Sequence, residues 1–311
     1  MSTMVFVIIG VLLLALALLI LLSVMFFAPV KFSDDWKRPV HKDYVDENTS
    51  TFFKSGRNKL LAHIYGKDNV KGTVIFSHGM GVPSDYYIPE ARYLAKIGYR
   101  SILFDDTGYW KNKGIFLGFP RAAKDLTSAI KYFDNGTPVI LMGHSMGAYA
   151  VCTALPEVKS KVSAVVVYSG FDNEHEIIRE FVNSNIKYCK KLVACLLSIS
   201  QVIIFPVRFF RSALDCLKKS GCKALIIHGN KDDEILLDGA SIYNHVIKVK
   251  SPCIMTRLIK KEGANTHMGV VRPSGTLEDI NEEVFPEVVS FIDEVCGCEK
   301  SVKTNYKIVN V

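Results

Sequence analysis

A serine enclosed by glycines is the residue of this chain best placed to act as a nucleophile. Ser145 lies in the segment GHSMG, after the apolar run Pro138–Met142 and before the helical pattern Ala148–Ala154. A strand, a sharp turn and a helix in this order present a serine hydroxyl at the end of the strand, where it can attack an acyl carbonyl. The other interpretation is a tight turn that happens to contain a serine. Partners able to accept the proton of the hydroxyl decide between the two.

An acid and a histidine follow Ser145 in the order that this chemistry needs. The apolar strand pattern KALIIHG ends just before Asp232 and Asp233, so either carboxylate would lie at the same sheet edge as Ser145. The alternative for both is a role in the turn, because aspartates favour turns. His267 lies in the loop GANTHMG, before the last helical pattern of the chain. His144, inside the serine turn, is predicted only to pack.

Four motifs together resemble the α/β-hydrolase superfamily, and within it the branch of serine aminopeptidases and monoacylglycerol lipases. They are SHGMG (77–81), GHSMGA (143–148), HGNKDD (228–233) and THMG (266–269), and the resemblance extends from about residue 50 to 296. The resemblance implies that Ser145 is the nucleophile and His267 the base. It implies Asp232 as the acid, with Asp233 as the runner-up. The backbone N–H groups of Met80 and Met146 would form the oxyanion hole. The loop DDTGYWKNKG departs from the family pattern, because Trp110 replaces a glycine there and bears on access to the acyl pocket.

These residues suffice for hydrolysis of an acyl ester through an acyl-enzyme. His267 would take the proton of Ser145, and Asp232 would fix the imidazole tautomer and stabilise the imidazolium. The two amides would stabilise the tetrahedral oxyanion, each by on the order of 3 kcal/mol. The mechanism requires no metal and no organic cofactor.

The elements that must position these residues form an α/β pattern. Apolar strand patterns such as GTVIFSHG and PVILMG alternate with helical patterns, which predicts a mostly parallel sheet with helices on both faces. Residues 50–66 predict a hairpin around a turn at Ser55–Asn58. Residues 172–220 are too long for a simple crossover and predict an inserted helical cap. The middle of this cap encloses a charge-free run at 192–207 and contains five cations without an acid: Lys187, Lys190, Lys191, Arg208 and Arg211.

The N-terminal segment predicts a single transmembrane helix. Residues 1–30 contain no charge, and Met4–Phe27 would form an apolar helix of about 36 Å, enough to cross the roughly 30 Å hydrocarbon core of a bilayer. A cleaved signal peptide would have a basic start and small residues at a cleavage site, which this segment lacks. The predicted organisation is an anchor at 1–30 and a hydrolase domain at 31–311. The cations that follow the helix favour a cytoplasmic position for that domain: Lys31, Lys37, Arg38 and Lys42.

Composition narrows the classes of function. Eight cysteines without a CxxC motif indicate reduced thiols in a cytosolic domain and argue against a zinc ribbon. The net charge of +7 is modest and comes without a nucleic-acid motif, so a membrane surface is a better explanation for it than a nucleic acid.

The leading hypothesis is a single-pass membrane serine hydrolase acting on lipid-like acyl esters, of the monoacylglycerol or lysophospholipid type. One alternative is a peptidase that releases N-terminal residues, which would need a carboxylate cluster for the substrate amine. The other is a non-catalytic hydrolase fold used as a membrane scaffold, against which the complete set of serine, histidine and acid argues. The carboxylates that could bind the substrate amine of the peptidase are Glu174, Glu176 and Glu180. Head group, acyl-chain length and oligomeric state stay open.

Overall fold

A mostly parallel sheet of eight strands lies at the centre of the protein. The computed structural model describes residues 3–28, 48–249, 251–276 and 279–298. The spatial order of the strands is β1-β2-β4-β3-β5-β6-β7-β8. The first two pairs in this order are antiparallel and all the following pairs are parallel, so the predicted sheet is confirmed. The strands are β1 (Asn48–Ser55), β2 (Asn58–Tyr65), β3 (Thr73–Ser77), β4 (Arg100–Phe104), β5 (Val139–His144), β6 (Val162–Tyr168), β7 (Lys223–Gly229) and β8 (Ile254–Ile259).

Helices cover both faces of this sheet, as the alternating patterns predicted. Apolar side chains of α3, α4 and α8 pack on one face, and those of α2 and α10 pack on the other. Strands β3 and β5 are buried along their whole length, because both of their faces are covered. The helices are α1 (Thr3–Phe27), α2 (Ile88–Lys96), α3 (Phe119–Phe133), α4 (Met146–Thr153), α5 (Leu155–Val158), α6 (Glu174–Asn185), α7 (Lys190–Ile204), α8 (Ala213–Ser220), α9 (Ile242–Val246) and α10 (Phe285–Val295).

The first two strands form the predicted hairpin. Ser55 lies opposite Asn58, and Gly56 between them has a φ of +59°, the left-handed conformation that this turn requires and that glycine adopts without steric cost. The ring centroid of Phe53 lies 5.3 Å from that of Phe104 and 5.6 Å from that of Phe133. The hairpin is therefore held to β4 and α3 by aromatic packing.

Between β6 and β7 the chain forms α6, α7 and α8. Helix α8 packs against α4, whereas α7 packs against both α6 and α1. Two of the five cations in this stretch are paired: Arg208 and Arg211 both bind Glu157 of α5, at 2.6 and 2.9 Å. The stretch from Lys187 to Arg211 itself contains no acid, and α5 supplies one to these two arginines from a distant part of the chain.

The N-terminal helix α1 joins the rest of the protein at its last two turns. Its residues before Leu22 are largely exposed, whereas Ser23 and Phe27 are fully buried. The segment Met4–Phe27 is long and apolar enough to cross a membrane, a property that signal sequences share. The predicted orientation depends on Lys31, Lys37, Arg38 and Lys42, which lie outside the described residues.

Candidate active site

The turn between β5 and α4 has the geometry of a nucleophile elbow. Ser145 has a φ of 55° and a ψ of −118°, a strained conformation for a residue with a side chain. A Cβ at Gly143 would lie 2.3 Å from the carbonyl oxygen of Gly147, and a Cβ at Gly147 would lie 1.9 Å from that of Ser77. Both flanking positions therefore admit only glycine, and the close packing that they allow holds the serine in its strained conformation.

His267 and Asp232 form a buried pair. The Nδ1 atom of His267 lies 3.0 Å from both carboxylate oxygens of Asp232. The Oδ1 atom of Asp232 also accepts hydrogen bonds from the amides of Glu234 and Ile235, at 3.1 and 2.9 Å. Asp233, the other aspartate of the turn, is exposed. Of the two acids that the sequence left open, the structure brings Asp232 to the histidine.

The electrostatics of this pair favour a carboxylate that holds the imidazole. Burial by itself lowers the pKa of His267, but the hydrogen bond and charge of Asp232 outweigh burial and raise this pKa above its ordinary value. Burial by itself raises the pKa of Asp232, but the hydrogen bond and charge of His267 hold this pKa below its ordinary value. With Nδ1–H donated to the carboxylate, Nε2 of His267 is left as a proton acceptor.

Ser145 opens into a cavity of about 360 Å³, part of which is open solvent. Met80 and Met146, whose amides the sequence analysis named as oxyanion donors, both line it. Met146 is the first residue of α4, where a helix leaves its amides without partners inside the helix. The remaining lining is mostly apolar, and consists of Phe119, Phe171, Ile177, Phe181, Glu234 and Ile235.

Comparison with known proteins agrees with this architecture. Residues 68–203 match the family model described as serine aminopeptidase, S33. A Pyrococcus furiosus esterase superimposes with a TM-score of 0.62 at 17% identity, covering 86% of this chain and 96% of the esterase. An esterase from Exiguobacterium antarcticum gives a TM-score of 0.56 at 17% identity, covering 79% of this chain and 100% of that one.

The chain has the α/β-hydrolase fold. A third solved structure, the enzyme Est1E of Butyrivibrio proteoclasticus with ferulic acid bound, has a TM-score of 0.57 at 17% identity and covers 76% of this chain and 99% of its own. The match to the family model includes Met80 and Ser145 but ends before Asp232 and His267. Asp232 and His267 form their buried pair outside the segment that the family model matches.

The loop after β4 keeps a glycine-like backbone although its sequence departs from the family pattern. Trp110 has a φ of 47°, the left-handed region that favours glycine. Among the described residues that line the Ser145 cavity, Trp110 is absent. Trp110 therefore takes a backbone conformation that favours glycine, and its indole does not line the Ser145 cavity.

His144 does more than pack, and the sequence analysis missed this. The amide of Gly79 lies 3.3 Å from the Tyr87 hydroxyl, which lies 3.1 Å from Nδ1 of His144. The Nε2 atom of His144 lies 3.0 Å from the carbonyl oxygen of His267. Burial lowers the pKa of His144 to about 3, so the ring is neutral and carries its one proton on Nε2. Tyr87 and His144 thus connect the backbone beside Met80 to the backbone of His267.

The carboxylates proposed for an aminopeptidase do not gather at the cavity. Glu174 is fully buried and accepts a hydrogen bond from the Tyr149 hydroxyl. Glu180 accepts the amides of Leu236 and Ala240. Glu176 lies beside the ring of His245, and none of the three is among the described residues that line the cavity. Their closeness in sequence does not become a cluster, because a helix turns them to different neighbours.

Glu234 is the acid that does reach the cavity, and the sequence analysis did not select it. Its Oε2 atom lies 3.5 Å from Nε2 of His267, on the side of the ring that faces away from Asp232, and its side chain is 54% exposed. Its position two residues after Asp232, in the same turn, is the feature of the sequence that could have pointed to it.

The pH dependence of catalysis should reveal this contact. His267 must be neutral to act as a base, and its pKa is raised, so kcat/KM should fall with decreasing pH through a midpoint above 6.5. Glu234→Gln removes a negative charge beside Nε2, which lowers this pKa and should move the midpoint to lower pH. Asp233→Asn removes a more distant charge that acts on this pKa in the same direction, so it should move the midpoint less. A pH–rate profile that stays unchanged in Glu234→Gln would contradict the assignment.

Proposed function

We propose that this hydrolase is a membrane-anchored serine hydrolase that cleaves acyl esters of lipid-like substrates, of the monoacylglycerol or lysophospholipid type. The observation that carries the proposal is the buried Asp232–His267 pair, whose imidazole lies 3.5 Å from Glu234, a residue that lines the same apolar cavity as the elbow residue Ser145. Aromatic and aliphatic side chains line most of that cavity, which suits an acyl chain better than a polar substrate.

The proposed reaction uses the chain's own groups throughout. Ser145 Oγ attacks the ester carbonyl while Nε2 of His267 accepts the hydroxyl proton, and the Asp232 carboxylate stabilises the imidazolium that forms. The amides of Met80 and Met146 stabilise the oxyanion. Collapse of the tetrahedral intermediate breaks the bond to the alcohol, which leaves with the proton from His267. Water, activated by the same imidazole, then attacks the acyl-enzyme and releases the fatty acid and the serine.

A peptidase remains a second candidate because of Glu234. A half-exposed carboxylate at the Ser145 cavity could pair with a substrate ammonium group, and the match to the serine aminopeptidase model is consistent with this use. The apolar lining favours the ester substrate.

A substrate panel separates the candidates. We expect the purified full-length protein to react with a fluorophosphonate probe and to hydrolyse monoacylglycerols and lysophospholipids faster than aminoacyl arylamides. Faster turnover of the arylamides would favour the peptidase. Absence of both labelling and turnover would favour the non-catalytic scaffold.

The contact between α1 and α7 supports membrane anchoring at a defined depth. If α1 spans a bilayer, the part before its first packed residue, Leu22, comprises eighteen residues from Met4 to Leu21. That part is about 27 Å long, slightly less than the roughly 30 Å hydrocarbon core. Helix α7, which packs on the next turns, would therefore lie at the level of the lipid head groups.

The outer face of α7 has the composition of a helix at a membrane surface. Leu192, Ile199 and Ile203 are 58%, 43% and 47% exposed and follow one another at seven and four residues, so they lie on one face of the helix. Lys187 and Lys191 are exposed at its start. Apolar side chains beside lysines are typical of helices that lie in the interface of an anionic membrane.

Loss of two of these lysines should slow the hydrolysis of lipid in a membrane. Each lysine near an anionic surface contributes about 1 kcal/mol, so Lys187→Gln with Lys191→Gln should lose about 2 kcal/mol and reduce turnover of an ester carried in anionic vesicles by roughly 30-fold. The matched control is Lys218→Gln with Lys219→Gln, which removes the same charge from the end of α8. The comparison uses full-length protein reconstituted in the vesicles, and turnover of a short soluble ester should not change in either variant. An equal loss on both substrates, or an equal loss in the control, would mean that α7 does not act at the membrane.

The cytoplasmic orientation is part of the proposal. Protease added outside intact cells should leave residues 31–311 intact, because the cations after the span favour a cytoplasmic domain. Digestion without permeabilisation would reverse the orientation.

A further inference from the structure

The last turns of α1 are built into the wall behind the Ser145 cavity. Phe27 is fully buried, and its ring centroid lies 5.0 Å from that of Phe119. The ring of Phe26 lies 5.9 Å from that of Phe181, also edge to face. Phe119, at the start of α3, and Phe181, in α6, both line the cavity. Each aromatic residue at the end of the anchor therefore supports one aromatic residue of the acyl pocket.

A buried chain of polar groups fixes this contact. The Nε2 atom of Gln201 donates to Ser23 Oγ at 2.9 Å and to the carbonyl oxygen of Leu117 at 2.8 Å. Ser23 Oγ lies 2.6 Å from Ser200 Oγ, which in turn donates to the carbonyl oxygen of Leu197 at 2.7 Å. Because Ser200 donates its own proton to Leu197, the bond between the two hydroxyls uses the proton of Ser23. Each of these donors therefore has an acceptor, whereas the Oε1 atom of Gln201 has no hydrogen-bond partner among the described residues.

Gln201 also packs against the backbone that precedes Phe119. A Cβ at Gly118 would lie 2.0 Å from Oε1 of Gln201, so the backbone immediately before Phe119 approaches the amide as closely as a glycine allows. Ser23, Ser200 and Gln201 are all at most 1% exposed. A buried hydroxyl or amide destabilises a protein unless it is hydrogen-bonded, so this arrangement favours a single register between α1, α7 and the start of α3. A helix that served only as a tether would need no such register.

We infer that the last turn of α1 is a specificity-determining part of the acyl site, which sets the length of acyl chain that the Ser145 cavity accepts by supporting Phe119 and Phe181. The inference rests on the proposed function. Truncation of Phe27 or Phe26 leaves space behind a pocket residue. Because protein interiors are close-packed, the neighbouring ring moves into that space and the cavity deepens. Esters of longer acids should then gain relative to esters of shorter acids.

The test compares full-length variants on a series of aryl esters from butanoyl to dodecanoyl in one detergent. In Phe27→Ala and in Phe26→Ala, the ratio of kcat/KM for dodecanoyl to that for butanoyl should rise by roughly tenfold, the size of effect that a change in an apolar pocket produces. The matched control is Met25→Ala, in the same turn but 72% exposed, which should keep the wild-type ratio. Fluorophosphonate labelling of Ser145 identifies the variants that are folded and active.

Phe27→Leu covers the case in which Phe27→Ala fails to fold. It retains most of the buried volume and should give a smaller rise of the same ratio. If the labelled variants keep the wild-type ratio, as Met25→Ala does, the inference is wrong while the proposed function stands. If the wild-type protein hydrolyses no ester of the series, the proposed function fails and the inference fails with it.

Discussion

Replacing Ser145 with alanine should lower kcat on an acyl ester by about 10⁶-fold, because no other group of the site can form the acyl-enzyme. The variant should also lose fluorophosphonate labelling, since the probe reacts with the same hydroxyl. The fold should survive, because alanine fits wherever serine fits and the close packing of Gly143 and Gly147 that forms the turn is unchanged. Steady-state kinetics, labelling and a thermal unfolding midpoint measure the three expectations.

Ser169 provides a matched control for this experiment. It follows β6, the strand beside β5, it is fully buried, and its φ of 45° is close to the 55° of Ser145. Ser169→Ala therefore removes a hydroxyl from a backbone of similar strain, at the same edge of the sheet, and should keep both labelling and turnover. Persistent labelling of Ser145→Ala, or an equal loss of turnover in Ser169→Ala, would contradict the role of Ser145.

The parts of the site that the sequence predicted are those that local chemistry dictates. Gly143 is required by a contact with Gly147 across a single turn, and Gly147 is required by the approach of Ser77 at the end of β3. The pattern of five residues therefore indicates the elbow, although one of its contacts is with a neighbouring strand. Asp232 and His267 each follow a recognisable strand or precede a recognisable helix, and the parallel order of the strands places both at one edge of the sheet. The sequence could not separate Asp232 from Asp233, because only the three-dimensional turn buries one and exposes the other.

The parts that it missed depend on contacts between distant segments. Ser23 and Ser200 are 177 residues apart, and nothing in either helix pattern indicates that their hydroxyls meet. The link from Tyr87 through His144 to the backbone of His267 likewise joins three separate segments of the chain. The glutamates of α6 were candidates for a cluster at the substrate amine, and this cluster is not observed. Glu174 is buried against Tyr149, while Glu176 and Glu180 line a different pocket from Ser145.

The hydrogen bonds around Asp232 make its replacement by asparagine a specific test of tautomer control. Its Oδ1 atom accepts the amides of Glu234 and Ile235, and an asparagine carbonyl oxygen can keep both of these bonds. The asparagine NH₂ group then faces Nδ1 of His267, where the carboxylate had accepted a hydrogen bond. Nδ1 must become the acceptor, so the proton moves to Nε2, and the imidazole can no longer take the proton of Ser145.

Asp232→Asn should therefore reduce kcat by on the order of 10⁴-fold while the protein stays folded. The loss should be smaller than that of Ser145→Ala, because the nucleophile and the oxyanion amides remain. Asp233→Asn is the matched control, since it makes the same chemical change one residue further along at an exposed side chain, and it should change kcat little. Steady-state kinetics should be measured at one pH above the midpoint of the pH–rate profile. His267 is then neutral in each variant, and differences in its protonation do not affect the comparison of kcat. A larger loss in Asp233→Asn than in Asp232→Asn would transfer the role of the acid to Asp233. The buried contact between Asp232 and His267 would then not be the catalytic one.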